Sequence, residues 1–411
     1  MAGGDESVVR ILLVTQWFDP EPIFKGLLFA RELQRRGHQV EVLTGFPNYP
    51  GGRLYPGHRI RPWKRETMDG VRVTRLALFP SHDRSAVRRS LTYASFAASA
   101  AVLGGVLAGR ADVVYVYHPP LTTAAAGLIL GLLRRAPVVL DVQDLWPETV
   151  QASGMVRPGR LMRALGAASR AIYRSAARVV VLSPGFARRL AERGVAADRI
   201  DVIYNWCDEA SMASGVAVEG EAGGRFRVVY AGNMGPAQGL DTVLEAARIC
   251  RSAAPHVEFH FVGSGIDADR LRRRTAELEL RNVHFLGRRA PSEMGEILAA
   301  AGALLVHLAP DPLFEITIPS KTQAYLAAGR PILMAVAGDA AALVEAAGGG
   351  ITCPPGDAPA LAAAVQRLAA MPAAERAAMG AAGRAYYREH LSLSAGVDRF
   401  EEVFRRATGA S

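Results

Sequence analysis

Lysine is nearly missing from this 411-residue chain: Lys25, Lys64 and Lys321 are the three, and all other basic residues are arginine. A chain so biased toward arginine has little casual use for lysine, which marks each as a point charge with a task. Cysteine is as scarce, and Cys207, Cys250 and Cys353 lie far apart. That spacing excludes a disulfide framework and points to a reducing compartment. No metal-ligand spacing appears either. Aromatics make up 7% of residues and do not interleave with clustered arginines. A basic nucleic-acid-binding protein, the reading that charge alone would raise, is therefore disfavoured. The start, MAGGDESVVRILLV, sets acidic residues before a short apolar strand and is no secretory signal.

What is present describes a globular enzyme-sized chain. Half of the residues are hydrophobic and 21% are charged. The length predicts two domains of about 200 residues. A formal net charge of +9 implies attraction to polyanions: nucleic acid, anionic lipid or phosphorylated substrates.

Residues 8–14 read as a buried strand, 26–37 as a helix closed by Gly37, and 40–44 as a second strand. This start predicts a doubly wound sheet. Between the first strand and the helix lies the Pro-rich loop WFDPEPIFK, 17–25. Residues 45–62 hold too much Gly and Pro for regular structure, and so long a loop in a compact domain is functional or disordered. A strand resumes at 71–78. Residues 90–109 run for twenty positions without a charge behind Arg84, Arg88 and Arg89. The length would just span a bilayer. The Ser, Gly and Ala content, and the strand directly after it, favour instead a helix with one apolar face. Two readings stay open for that face: contact with lipid headgroups, the arginines meeting anionic lipid, or a place in the domain core. His118 follows the strand 113–117, and an apolar helix runs on to Leu133. The strand 138–142 leads into QDLWPE, which sets Asp144 and Glu148 just past a strand end, where α/β sheets present their chemistry. Strands at 178–182 and 200–204 complete this half, and the Gly-rich 212–224 reads as a linker.

The pattern then restarts. A strand at 226–231 enters GNMGPAQG (232–239) before a helix from about Leu240. A strand at 257–262 ends in Gly263-Ser264-Gly265 before an arginine-rich helix, and 283–286 is followed by Gly287 and Arg288. After a helix at 291–300, the apolar run 303–309 reads as a buried strand. Residues 311–331 then give a loop, a helix started by Pro319 with Ser320 as N-cap, a stop at Gly329 in the C′ position, and a new strand at 332–336. The free N–H groups at the mouth of that helix suit an anion. A cation in a first turn opposes the helix dipole, so Lys321 makes most sense with a phosphate between them. Three Gly- or Ser-bearing loops, at Gly232, Gly263 and Pro319, follow strands and precede helices. Together they would cradle a diphosphate, with a nucleotide base near residues 285–288. Gly263-Ser264-Gly265 lacks the third glycine of a dinucleotide fingerprint, which counts against a NAD enzyme. Residues 386–410 read as a final amphipathic helix.

Several of these stretches resemble family-4 retaining glycosyltransferases of the GT-B fold, over almost the whole chain. RGHQV (36–40) is similar to the end of that family's first helix, and YNWCD (204–208) to its domain junction. AGNMGPAQGLD (231–241) resembles its first donor loop, FLG (285–287) a turn, and AYLAAGRP (324–331) its later helix and stop. TGFPNYPGG (44–52), DLWPE (144–148) and PSK (319–321) resemble a bacterial subgroup that makes surface polysaccharides and includes the N-acetyl-L-fucosamine transferases of O-antigen assembly.

The resemblance implies an α/β architecture of two Rossmann-like doubly wound domains facing a central cleft. The acceptor-binding domain would be 1–208, the linker 209–224, the nucleotide-sugar domain 225–385, and 386–411 a C-terminal helix returning to the first domain. It implies a donor site of Gly232, Asn233, Met234, Gly235, Gln238, Gly263, Ser264, Gly287, Arg288, Glu315, Pro319, Ser320, Lys321 and Thr322. Lys25, Pro47, Asn48 and Tyr49 would meet the acceptor, His118 would face the sugar, and Asp144 or Glu148 would orient a hydroxyl. No metal and no cofactor beyond the nucleotide-sugar substrate is implied. There are departures from the wider family: Asn233 and Gln238 stand where an Arg and a Lys are usual, Ala324 replaces a ribose-binding Glu, and Glu315 is one residue off the place of another. Lys321 and the helix mouth would then carry more of the diphosphate, in a variant site and not a dead one. The expected activity is hexosyl transfer with retention from a UDP-sugar to a polyprenyl-diphosphate-linked saccharide. It would occur in the cytoplasm, peripherally on the inner face of the membrane, with no nucleic acid involved. A nucleotide-sugar 2-epimerase shares the architecture and is the competing enzyme reading.

Overall fold

The computed structural model describes residues 8–81, 85–146, 148, 159–209, 212 and 224–409. Arg84, the start of the chain and most of the expected linker lie outside these residues. The chain divides into two compact units. One takes residues up to Tyr204 and again from Gly396 onward; the other is Asn205–Ala395. The expected boundaries lay at 208 and 386, so the exchange of chain between units falls four residues earlier and ten residues later than the motifs imply.

The first unit holds a sheet of eight strands, in the order β3-β4-β2-β1-β5-β6-β7-β8. In chain order its elements are β1 (Arg10–Thr15), α1 (Leu27–Arg35), β2 (Gln39–Gly45), β3 (Trp63–Met68), β4 (Val71–Leu76), α2 (Ala86–Leu107), β5 (Val113–His118), α3 (Leu121–Arg134), β6 (Val138–Val142), α4 (Arg160–Ser175), β7 (Arg178–Val181), α5 (Pro184–Glu192) and β8 (Ile200–Val202). The central strands are aliphatic without alternation because helices cover both faces, as parallel sheets require. β5 and β6 are buried at every position. β3, WKRETM, escapes sequence reading for the opposite reason: it is an edge strand that pairs antiparallel with β4 and carries no apolar run. The turn joining them is Asp69-Gly70, with φ of +46° and +86°, the two-residue hairpin geometry that Asp-Gly favours.

The second unit repeats the architecture with six parallel strands, β11-β10-β9-β12-β13-β14. Its elements are β9 (Phe226–Asn233), α6 (Asp241–Ala253), β10 (Val257–Ser264), α7 (Ala268–Glu277), β11 (Val283–Gly287), α8 (Pro291–Ala299), β12 (Ala303–His307), the short α9 (Pro312–Glu315), α10 (Lys321–Ala328), β13 (Ile332–Ala335), α11 (Asp339–Ala346), β14 (Gly350–Thr352), α12 (Ala358–Ala370) and α13 (Ala373–His390). The chain then ends in α14 (Leu393–Thr408). The single helix expected over 386–410 is thus two, and the break at Leu391–Ser392 is held by capping: Ser392 Oγ accepts from Ala395 N at 3.2 Å, and Glu209 Oε1 accepts from Leu393 N at 2.9 Å. α14 seals the core of the first unit. Phe400 packs 5.0 Å from Phe29 and 5.5 Å from Tyr115, while Arg36 pairs with Glu401 at 2.8 Å and His38 meets Glu401 at 2.9 Å. These contacts give the RGH tripeptide its structural purpose.

Candidate active site

In the second unit the carboxyl ends of β9, β10 and β12 converge, the place where open parallel sheets bind ligands. β9 and β10 run on together further than their glycines predict: Gly232 pairs with Gly263 and Asn233 with Ser264. Only glycine permits it, since a Cβ on Gly263 would stand 2.1 Å from the Gly232 carbonyl oxygen, and φ there is +125°. Gly263 and Ser264 therefore extend the strand instead of forming the loop expected of them.

Lys321, the first residue of α10, turns its side chain back against this strand end. Its Nζ lies 3.7 Å from the centre of the Tyr230 ring, and a Cβ on Gly232 would be 3.2 Å from it. The ammonium is buried, and among the described residues no hydrogen-bond partner reaches it. Burial pushes its pKa down to about 7. A buried cation held by one aromatic face alone is under-compensated, and a bound anion would complete it. The frame around it is fixed by polar bonds. Tyr325 Oη accepts from Ala231 N at 2.8 Å and donates to Ala231 O at 3.2 Å, pinning α10 to β9. Gln238 Oε1 accepts from Gly235 N at 3.0 Å and Asn233 Nδ2 at 3.2 Å, so these two side chains shape the donor loop from within. His307, which sequence reading passed over, is fully buried at the end of β12 and donates Nδ1–H to Gln238 O at 2.7 Å. Among the described residues its Nε2 and the Thr322 hydroxyl have no partner. Burial, then the Lys321 charge, lowers the His307 pKa. Arg288 Nε donates to Ser264 Oγ at 2.5 Å, and Phe285 beside it stacks on Phe261 at 5.1 Å.

Not every expected donor residue joins this group. Met234 is 1% exposed and belongs to the core, leaving its backbone alone to the loop. Ser320 is exposed with helical backbone angles and caps nothing through its side chain; Pro319 O instead accepts from Thr322 N at 2.8 Å. The helix mouth expected from Ser320 is thus a turn ahead of Lys321. Glu315 ends α9, exposed, with its carbonyl packed against Gly338 and not against the Lys321 loop.

In the first unit the expected acceptor residues are mostly structural. Lys25 is fully buried and pairs with Asp141 at 3.0 Å, whose carboxylate also accepts from Tyr115 Oη at 2.6 Å and Gln143 Nε2 at 2.6 Å. Pro47 is buried, and Asn48 is 2% exposed, its N–H donating to the buried Glu21 at 2.7 Å. Lys25, Pro47 and Asn48 are therefore buried parts of the loop's support and not surface contacts. Tyr49 is half-buried with its ring 4.7 Å from Trp17. His118 has no exposed surface, lies edge-on 5.9 Å from Tyr173, and is driven to a pKa of about 4 by burial. It is a neutral interior imidazole, and among the described residues neither ring nitrogen has a hydrogen-bond partner. Glu148 is taken up by an ion pair with Arg193. Asp144, like the His118 ring nitrogens, is unclaimed: among the described residues it makes no hydrogen bond or ion pair, and burial lifts its pKa to about 6. One grouping of metal-ligand type does occur among the described residues, on β10 and β11. Glu258, His260 and His284 bring one ligand atom each within 4.8 Å, though Glu258 already pairs with Arg225. Neighbouring strands assemble it, which no linear spacing could show.

These two doubly wound units are those of a GT-B glycosyltransferase. The Glycosyl transferase 4-like domain family matches residues 27–206, and the Glycosyl transferases group 1 family matches residues 225–371. The chain thus carries a glycosyl transferase 4-like domain followed by a glycosyl transferases group 1 domain. It is 26% identical over 310 residues to the Escherichia coli K12 protein WcaI, named as a colanic acid biosynthesis glycosyl transferase, covering 72% of this chain and 75% of that one. It is 26% identical over 280 residues to the Pseudomonas aeruginosa protein WbjE, named as a glycosyltransferase, covering 65% and 68%. Among solved structures, Anabaena Alr3699/HepE with UDP-glucose superposes with a TM-score of 0.67 at 18% identity, over 96% of this chain and 98% of that one. The Burkholderia multivorans trehalose 6-phosphate synthase gives 0.70 at 16%, over 98% of each.

Proposed function

We propose that this protein transfers a sugar, of the N-acetyl-L-fucosamine type, from a UDP-sugar to a polyprenyl-diphosphate-linked saccharide in surface-polysaccharide synthesis, with retention at the anomeric carbon. The observation that carries the reading is Lys321: a buried, partnerless ammonium among close-packed glycines at the strand ends of the second unit. A diphosphate is the ligand that such a charge, open backbone and the unpaired Thr322 hydroxyl would satisfy together. The UDP-glucose complex of Alr3699/HepE and the colanic acid name of WcaI support a UDP-sugar and a polysaccharide product. In this reading the acceptor oxygen bonds to the anomeric carbon as the carbon–diphosphate bond breaks. The diphosphate leaves with the electron pair and takes the hydroxyl proton on the same face. Lys321 stabilises the leaving charge, so no step is assigned to a metal ion or other cofactor.

The lipid half of the reading rests on α2. Val87, Leu91, Val102 and Val106 are exposed by 70, 50, 68 and 82%, and at about 100° per residue all four fall in one stripe. The helix is long and apolar enough to cross a membrane, with a mean hydropathy of 1.5, yet α3 packs along one side of it. A helix lying in the headgroup region on the cytoplasmic side, with Arg88 and Arg89 beside it, fits both facts.

The test is a panel of UDP- and GDP-sugars with polyprenyl-diphosphate saccharides, comparing wild type with Lys321→Ala. Loss of one oxyanion-stabilising group predicts a fall in kcat of about 100- to 1,000-fold, with EDTA without effect. Equal turnover in the two proteins would overturn the site, and conversion of donor alone to an epimer would favour the 2-epimerase.

A further inference from the structure

The first unit carries an aromatic group that neither its core nor its folding motifs account for. Trp17 comes from the loop after β1, Tyr49 from the loop after β2, and Tyr93 from α2. Trp17 lies 4.7 Å from Tyr49 at 33° and 6.4 Å from Tyr93 at 78°. All three are half-buried, unlike Phe29, Tyr115, Phe400 and Phe404, the core aromatics of the same unit, which are at most 1% exposed. Their carriers are fixed from behind. Glu21 accepts from Phe18 N at 3.0 Å and from Asn48 N and Tyr49 N, each at 2.7 Å, locking the two loops together, and Tyr93 shares its helix face with the buried Phe96 and Ala100. Past the end of β6, two strands from β1, stands Asp144, a half-buried carboxylate with no hydrogen bond or ion pair among the described residues. Its charge is felt by both Tyr49 and Tyr93.

Rigid, part-exposed aromatic faces next to one uncommitted acceptor suit a ligand with an apolar C–H face and hydroxyl edges, which is a pyranose. We propose that Trp17, Tyr49 and Tyr93 form the platform for the terminal pyranose of the acceptor, and that Asp144 accepts a hydrogen bond from the hydroxyl to be glycosylated. This rests on the glycosyl-transfer reading and adds to it the residues that select the acceptor. Packing alone would bury these rings or leave Asp144 paired, and neither is the case.

The test uses the full chain and a panel of hexosyl and 2-acetamidohexosyl diphosphates on farnesyl tails, titrated by calorimetry without donor, with UDP titrated in parallel. Trp17→Ala and Tyr93→Ala should weaken the best-bound saccharide at least tenfold while the UDP affinity stays within twofold; Trp17→Phe should recover most of the loss. Asp144→Asn should lower kcat for transfer far more than it raises the acceptor KM, and should remove the acid limb of the pH profile. Saccharide affinity indifferent to Trp17, or recovered by no conservative variant, would overturn the platform. Absence of UDP binding in the wild type would instead strike the donor reading, leaving the saccharide titration to decide the platform by itself.

Discussion

In the proposed reaction two ionisable side chains carry the chemistry at the residue scale, and burial moves their pKa values toward each other. Asp144 is raised from 3.8 to about 6, and Lys321 is lowered from 10.5 to about 7. The carboxylate works ionised and the ammonium works charged, so kcat/KM, which reports the free enzyme, should peak between about pH 6 and 7 and fall on both sides. A diphosphate restores the Lys321 proton, so UDP binding near pH 8 should take up a proton, visible as a buffer-dependent heat. A profile flat from pH 6 to 9 would contradict both assignments. The stability signs are opposite to those of ordinary ion pairs. Between its folded and unfolded values Lys321 is protonated only in the unfolded chain, so the unliganded fold gains stability as pH rises from about 7 toward 10.5. Asp144 makes it lose stability as pH rises from 3.8 toward 6. It follows that Lys321→Met should raise the unliganded Tm at pH 7 while weakening UDP binding. The scarcity of lysine singles out Lys321 in the sequence, and the structure finds its ammonium buried against Tyr230. His307 is not legible there, because a histidine inside an aliphatic run has the same pattern whether it packs or binds. Lys25, which the family resemblance sets at the acceptor, is buried and paired with Asp141 in the interior.

At the scale of elements, the sequence is readable wherever a strand or helix is buried on a regular period, and unreadable where a single contact decides. β1, β2, β5 and β6 announce themselves by continuous aliphatics; β3 does not, since its partner β4 and the Asp69-Gly70 turn supply what its own residues lack. The extension of β10 through Ser264 depends on two glycine backbones touching, and the break before α14 on Ser392 and Glu209, one of them distant in sequence. α14 itself is the clearest case of distant chain completing a core. Phe400 is fully buried against Phe29 and Tyr115, with the Lys25 ammonium 5.4 Å from its ring. Phe400→Ala should cost the first unit about 3–5 kcal/mol and Phe400→Leu appreciably less, read from urea unfolding followed by tryptophan fluorescence. Equal and small losses in both would mean that α14 only rests on that unit.

Charge and hydropathy act at the scale of the whole molecule. A formal charge of +9 draws the chain to any polyanion, and only a second feature tells lipid from nucleic acid. That feature is the stripe on α2, which ends at Val106, the most exposed of its four apolar residues. A peripheral helix of this kind gains from burying its stripe and about 1 kcal/mol for each Arg held near an anionic surface. The two contributions separate by salt, because screening shortens to about 3 Å at 1 M while apolar burial persists. The protein should therefore sediment with vesicles containing anionic lipid at low salt, release partly at high salt, and bind neutral vesicles weakly. Val102→Glu with Val106→Glu should abolish the salt-resistant part and leave UDP affinity unchanged, since both residues face away from the buried side of α2. Arg88→Glu with Arg89→Glu should abolish the salt-sensitive part. Full release by salt alone would reduce the attraction to net charge, and a wild type that stays in the supernatant at low salt would remove the membrane from the account of this enzyme.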